Sequence, residues 1–318
     1  MINFLNLKYF VVLAHALNFS QAAKKLFISQ QALSNHISRL ESYYGTILFD
    51  RNQPMTLTPA GKSLLIYAEK LLSLEKETER SLQDIKDFQS GEITIGMTSV
   101  RSSVMLPYLL SNYSAVFPQI KIHLYQGSTP QLEKALLDGK VDLTIGYLVK
   151  NTPNVKTELL LNDPYVLTVP RNIIATVGDG QETALLDKDG VIDIHKLAGT
   201  PFIKIPVTTK AGAIFEEYCT KKAFSPNIYL ETDYLLTAIT LCQTGLGSLV
   251  LPRSFFSLHY NNRNPKNFFE PSPKNVVIYD LYLNNDDSNI GINRLVNKYQ
   301  TVAIKEFIKL TKALFKNQ

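Results

Sequence analysis

The stretch from Asn18 to Arg51, NFSQAAKKLFISQQALSNHISRLESYYGTILFDR, limits what this chain can fold into more than any other. It holds two short amphipathic helices with almost nothing between them. The first is expected at Gln21–Leu26, capped by Ser20, and the second at Gln30–Tyr44, capped by Ser29. A serine just ahead of a helix accepts a hydrogen bond from an unpaired N–H of the first turn. Ala22, Ala23 and Leu26 give the first helix a small-residue face, and Leu33, Ile37 and Leu40 give the second an apolar stripe at helical spacing. Only Phe27 and Ile28 remain for the turn. Helices joined this way form either an ordinary hairpin in a core or a helix-turn-helix whose second helix enters the DNA major groove. The polar face decides between them. Gln30, Gln31, Ser34, Asn35, Ser38 and Arg39 offer amides, hydroxyls and a guanidinium, with no carboxylate among them. A merely solvated face mixes Glu with Lys, whereas one that meets phosphates and base edges avoids carboxylates.

The candidate DNA contacts are therefore Ser20, Gln21, Ser29, Gln30, Gln31, Ser34, Asn35 and Arg39. After Gly45, Ile47–Phe49 and Met55–Leu57 read as short strands around a polar tip, which makes a wing with Arg51 as a phosphate or minor-groove contact. His36 lies on the second helix, where it either touches DNA or faces solvent. Charge agrees with a polyanion partner. Residues 1–62 carry six Lys and Arg against Glu41 and Asp50, a net of +4 out of +5 for the whole chain.

With 318 residues and 45% hydrophobic content, the chain is globular and long enough for two or three domains. No stretch approaches the roughly 18 apolar residues that cross a bilayer. The opening MINFLNLKYFVVLAHALNF lacks a basic leader and a small-residue cleavage site, so it reads as a first helix burying Leu7, Phe10, Val11 and Ala14. A cytoplasmic location follows as the expectation. Cys219 and Cys242 have no metal-site or CxxC spacing and read as buried structural thiols; a redox pair lacks flanking basic residues. The five histidines, His15, His36, His123, His195 and His259, form no HExxH or triad pattern. No catalytic residue, metal ligand or cofactor motif is indicated.

Thr58 and Pro59 open a long helix as cap and first residue. Leu64, Leu71, Thr78 and Ile85 recur every seven residues, as do Tyr67, Leu74, Ser81 and Phe88, which makes a heptad seam suited to pairing with a second helix. Past Gly91 the pattern becomes alternating strands and helices, expected to form parallel-type sheets in two α/β lobes. The domains are then residues 1–58, 59–90 and 91–318. Lobe I comprises about 91–164 and 271–318, lobe II about 165–270, and the chain crosses near 165 and 270. A final helix is expected at Ile292–Leu314. The cleft between such lobes is the default ligand site.

These parts resemble a LysR-type transcriptional regulator. The resemblance rests on Phe19–Leu26, Ser29–Ser34, Ile37–Glu41, Leu48–Arg51 and Leu57–Gly61, and downstream on Leu132–Leu143 and Thr244–Pro252. It implies an α+β multidomain protein: an N-terminal winged helix-turn-helix, a long linker helix and a two-lobed, periplasmic-binding-protein-like α/β effector domain. It also implies a homodimer or homotetramer that binds double-stranded promoter DNA and responds to a small-molecule effector, with no membrane partner. Gln31 and Asn35 depart from the family's common Pro and Arg, and amides there suit adenine. Residues 171–196 look longer than usual, which suggests an extra hairpin or loop on lobe II. By analogy with matching positions, Thr98, Ser99, Val100, Arg101, Thr129, Lys204, Thr208 and Gly247 are candidate effector contacts. Arg101 and Lys204 would favour an anion. The competing class is a solute-binding protein of similar two-lobed fold, against which the winged segment argues.

Replacing Gln30 or Ser34 by Ala is expected to weaken specific relative to non-specific DNA binding by about 1–3 kcal/mol per lost base contact. Equal losses on both duplexes, measured by titration, would show that these side chains do not read sequence.

Overall fold

Small and branched side chains at helical spacing draw the first four helices onto one core. The computed structural model describes residues 3–52, 54–86, 91–257, 275–281 and 288–316. It divides into two compact units, residues 1–88 with 137–140 and the remainder. In the first unit, α1 (Phe4–Ala16), α2 (Phe19–Leu26) and α3 (Gln30–Tyr44) precede a short antiparallel pair, β1 (Phe49–Asp50) and β2 (Thr56–Leu57), and then α4 (Pro59–Lys86). Leu7, Phe10 and Leu13 of α1 meet Ala22 and Ala23, Leu33, Ile37 and Leu40, and Ala68. Leu13 takes the buried place expected for Val11, which is half-buried.

Caps set the helix ends. α2 starts two residues earlier than expected because Asn18, not Ser20, accepts from the Gln21 N–H at 2.9 Å. Ser29 caps α3 by accepting from the Ala32 N–H at 3.1 Å, and Gly45 ends it at φ 64°. Thr58 accepts from the Gly61 N–H at 3.0 Å to open α4 and donates to the Ile47 carbonyl at 2.7 Å, which ties the helix to the start of the wing. On α4, Leu64, Leu65, Ala68 and Leu72 face the unit's own core, whereas Tyr67, Leu71, Leu74 and Leu82 are exposed. Leu64 thus leaves the expected seam for the core. The last seam positions, Ile85 and Phe88, lie outside the described side chains.

The second unit holds both lobes. Lobe I is a five-stranded sheet ordered β4-β3-β5-β12-β6, built from β3 (Gly91–Met97), β4 (Ile120–Gln126), β5 (Leu143–Tyr147), β6 (Val155–Asn162) and β12 (Asn289–Leu295). Helices α5 (Ser99–Val116), α6 (Thr129–Leu137) and α10 (Val302–Phe315) accompany it. Ile93, Ile95, Leu143, Ile145 and Ile292 of the sheet pack with Met105 and Leu109 of α5 and Phe307 of α10. Lobe II is centred on β7 (Tyr165–Pro170), flanked by β10 (Leu249–Pro252) and β11 (Val276–Asp280). A parallel pair, β8 (Pro201–Lys204) and β9 (Asn227–Glu231), joins β10 through a bridge from Phe202 to Ser248. Helices α7 (Arg171–Val177), α8 (Lys210–Lys221) and α9 (Leu235–Gln243) complete it.

Several expectations are corrected here. Among the described strands, β3 with β4 and β5, and β8 with β9, pair in parallel; β12 is antiparallel to β5 and β6, and β7 to β10 and β11. Strand β6 was not anticipated. The segment read as the start of the last helix is β12, and α10 begins ten residues later behind Thr301, whose hydroxyl accepts from the Ile304 N–H. The second crossing does not fall near residue 270. β11 pairs with β7 in lobe II, so the chain returns to lobe I between Leu281 and Ser288. Strand partners this distant leave no local signal. The 171–196 segment contains α7 and an antiparallel bridge from Leu186 to Ile192, set between two 3-10 turns.

Cys219 and Cys242 both lie in the lobe II core, where burial pushes their thiols up to about 11 and about 12. The thiolate is the reactive form, so a raised pKa keeps each thiol protonated and inert at neutral pH. A thiol-reactive dye at about pH 8 is expected to label neither cysteine in the folded protein and both after denaturation. Rapid labelling of the native chain would contradict this placement.

Candidate functional site

The first unit presents α3 with its apolar stripe inward and its amide-rich face outward. Gln30, Gln31, Asn35, Ser38 and Arg39 are exposed, and Ser34 is half-buried. Asn35, Ser38, Arg39, Ser42 and Tyr43 line a shallow groove along the helix. Ser20 and Gln21 are exposed on α2, and the Ser20 hydroxyl donates to Gln30 Oε1 at 2.8 Å, which orients that amide. The Ser29 hydroxyl is occupied as a cap. Arg51 on the wing is held by Glu41 at 3.0 Å and lies 5.7 Å from the centre of the Phe19 ring. Glu41 also accepts from the Leu48 N–H at 2.9 Å, so one carboxylate on α3 fixes both the entry to the wing and its arginine. Sequence reading missed this role. His36 turns away from the outer face: its Nδ1 meets Asn6 Oδ1 at 2.7 Å and its ring packs edge-on against Tyr9 of α1. The ring is half-buried there rather than simply facing solvent.

In the second unit, the parallel register of β3, β4 and β5 brings their carboxyl ends to one edge of lobe I, where ligands collect in open α/β sheets. Thr98 follows β3 and precedes α5 without capping it through its side chain, and Ser99 is exposed beside it. Ser128 lies two residues past β4, and its N–H and hydroxyl both donate to Gln131 Oε1 just ahead of α6, whose first residue is Thr129. Tyr147 ends β5. Lobe II meets this edge with the start of α8. Lys210 Nζ stands 4.0 Å from the centre of the Tyr147 ring, a cation–π contact between the lobes. Thr208 is exposed just before it, and Thr209 caps α8 by accepting from the Gly212 N–H.

The remaining candidates sit elsewhere. Val100 is buried in the lobe II core. Lys204 pairs with Glu216 of α8 at 3.1 Å, which offsets its charge. Gly247 is buried where an added Cβ would come within 2.9 Å of the Pro201 carbonyl, so it serves the close approach of β10's lead-in to β8. Arg101 is 2% exposed and pairs with Asp163, itself fully buried, at 3.0 Å. Packed against the rings of Tyr147 and Phe255, it presents no uncompensated charge to the cleft. Lys210, which sequence reading passed over, is a cation at the lobe edges. Its position at the start of α8 was the available signal.

Asp163 is a hub. Its carboxylate accepts from Arg101 of lobe I and from the Ser254 N–H at 3.0 Å and hydroxyl at 2.7 Å in lobe II. Its own N–H donates to the Ser288 carbonyl at 2.9 Å, so the two strand crossings are bonded to each other. Beside it the hydroxyls of Tyr147 and Tyr165 are hydrogen-bonded together, and burial raises the pKa of both, keeping them protonated.

A helix-turn-helix with a carboxylate-free outer face, in one chain with a two-lobed α/β domain whose strand ends meet at a cleft, defines a ligand-responsive DNA-binding regulator. The family model described as bacterial regulatory helix-turn-helix protein, lysR family, matches residues 4–62, and the LysR substrate binding domain matches residues 86–313. The chain belongs to the LysR family of transcriptional regulators. The helix-turn-helix match sets the solute-binding alternative aside. The chain is 28% identical to the uncharacterized HTH-type transcriptional regulator YcgK of Bacillus subtilis (strain 168), over 77% of its own length and 78% of that protein. It is 33% identical to the HTH-type transcriptional regulator CfxR of Cupriavidus necator, over 52% and 53%. Its fold matches the crystal structure of CbnR, a LysR family transcriptional regulator, with TM-score 0.66 and 19% identity over 99% of both chains. No helix among the described residues is long and apolar enough to cross a membrane.

Replacing Asp163 by Asn would leave the Arg101 guanidinium buried without a counter-charge. The expected loss is about 3–5 kcal/mol in urea unfolding, against about 1 kcal/mol for Ser254→Ala. Similar small losses for both would show that Asp163 does not hold the lobes.

Proposed function

We propose that residues 1–58 bind promoter DNA, that the helix in residues 59–90 pairs protomers into a homodimer or homotetramer, and that a small anionic molecule entering the cleft of residues 91–318 changes promoter binding. The readers are Gln21, Gln30, Gln31, Ser34, Asn35 and Arg39, with Ser20 orienting Gln30 and Arg51 on the wing meeting phosphate. Exposed Tyr67, Leu71, Leu74 and Leu82 supply the apolar surface for pairing. The effector contacts are Thr98, Ser99, Thr129, Thr208 and Lys210. The observation that carries the effector reading is Lys210 seated on Tyr147 between the lobe edges, because a cation beside helix N-termini favours a carboxylate or phosphate. The chain acts as a regulator rather than an enzyme and works in the cytoplasm, where promoter DNA is found. One solved relative in fold, full-length CbnR, is described as complexed with its target DNA.

A thermal-shift screen of small carboxylates and phosphates on the full-length protein tests the cleft. A true ligand at a hundredfold over its Kd stabilises by about 2.7 kcal/mol. Lys210→Gln is expected to respond far less to the same ligand. Equal stabilisation of both proteins would remove Lys210 from the site, and a ligand that leaves promoter affinity unchanged would disprove the coupling.

A further inference from the structure

Phe27, in the turn of the helix-turn-helix, combines two features that no contact among the described residues of its unit explains. Its backbone is left-handed, at φ 56°, where it closes the C-terminus of α2 with its N–H directed to the Ala23 and Lys24 carbonyls. Glycine or asparagine fills that slot with little strain, and a bulky side chain does not. Its ring is also 96% exposed, more than any other large apolar side chain among the described residues. The neighbours Leu26 and Ile28 pack against the core, so the turn had apolar surface available and Phe27 does not use it.

The position identifies the occupant. Phe27 stands two residues before Ser29, the cap of α3, and so at the amino end of the helix whose first residues enter the groove. Lys24 and Lys25, in the last turn of α2, and Gln30 and Gln31 are exposed around it in sequence, and no Asp or Glu occurs before Glu41. An isolated ring within a basic and amide-bearing surface matches duplex DNA, whose apolar contact points are thymine methyls and deoxyribose. A protein partner would be met by a contiguous apolar patch instead.

We propose that Phe27 is a DNA-contacting residue that lays its ring on an apolar point of the groove at the amino end of the recognition helix. This rests on the DNA-binding reading above. The test uses the full-length protein and the duplex it selects from a random pool, with an unrelated duplex of equal length as control. Phe27→Asn and Phe27→Gly both suit the left-handed backbone. Each is expected to keep or raise the Tm, to leave self-association unchanged in sedimentation, and to weaken the selected duplex about five- to hundredfold, the range for one lost base contact. Deoxyuridine in place of thymine, one position at a time, separates the two contacts. A position that weakens the wild type but not Phe27→Asn marks a thymine methyl, and the lack of such a position marks deoxyribose. Undiminished binding by both variants overturns the proposal, as does a loss that accompanies a loss of self-association. Failure of the wild type to select any duplex would instead overturn the DNA reading itself.

Discussion

Asp163 is the point on which the second unit turns. A carboxylate with no exposure is tolerated only if it is paired and hydrogen-bonded, and here a guanidinium from lobe I and an N–H and hydroxyl from lobe II meet it. The residue sits in the first crossing and is bonded through its N–H to the second, so both connections between the lobes share one polar anchor. The Tyr147–Tyr165 hydroxyl pair and the Arg101 stack on Phe255 extend it. A lobe movement that opened the cleft would have to pivot about this anchor or break it. The Lys210–Tyr147 contact, by comparison, lies at the start of a helix and joins the lobes by a cation–π interaction.

The first unit is organised by smaller, local interactions. Asn18, Ser29, Gly45 and Thr58 end or begin helices, and Glu41 gathers the wing. Each cap is worth about 1 kcal/mol, and together they set where the helices begin and end, while the buried stripe of Leu33, Ile37 and Leu40 turns the amide-rich face of α3 outward. His36 shows the same logic, because its bond to Asn6 locks α3 against α1.

Legibility followed the range of the interactions. Helices were readable because caps and apolar spacing lie within a few residues: Ser29, Thr58 and the stripe of Leu33, Ile37 and Leu40 stand where they were expected. Asn18 displaced Ser20 as cap because both are good acceptors, and only the backbone path chooses. The strands were less readable. β11 and β12 pair with strands more than a hundred residues earlier, and nothing in their own sequence indicates which lobe they join. Arg101 read as an anion hook because its partner lies 62 residues away. Lys204 read the same way, although Glu216 of α8 pairs with it, and Lys210 at the start of the same helix meets Tyr147.

The sequence by itself determined the helix-turn-helix, the wing, the long helix and the alternation that makes two α/β lobes, because periodicity, caps and carboxylate avoidance act over a few residues. Tertiary structure alone decided which charges are neutralised, where the chain re-enters lobe I, and which side chains meet across the cleft. Those outcomes depend on long-range antiparallel pairing and on burial, which set the partner and the dielectric of each charged group only once the chain has closed on itself.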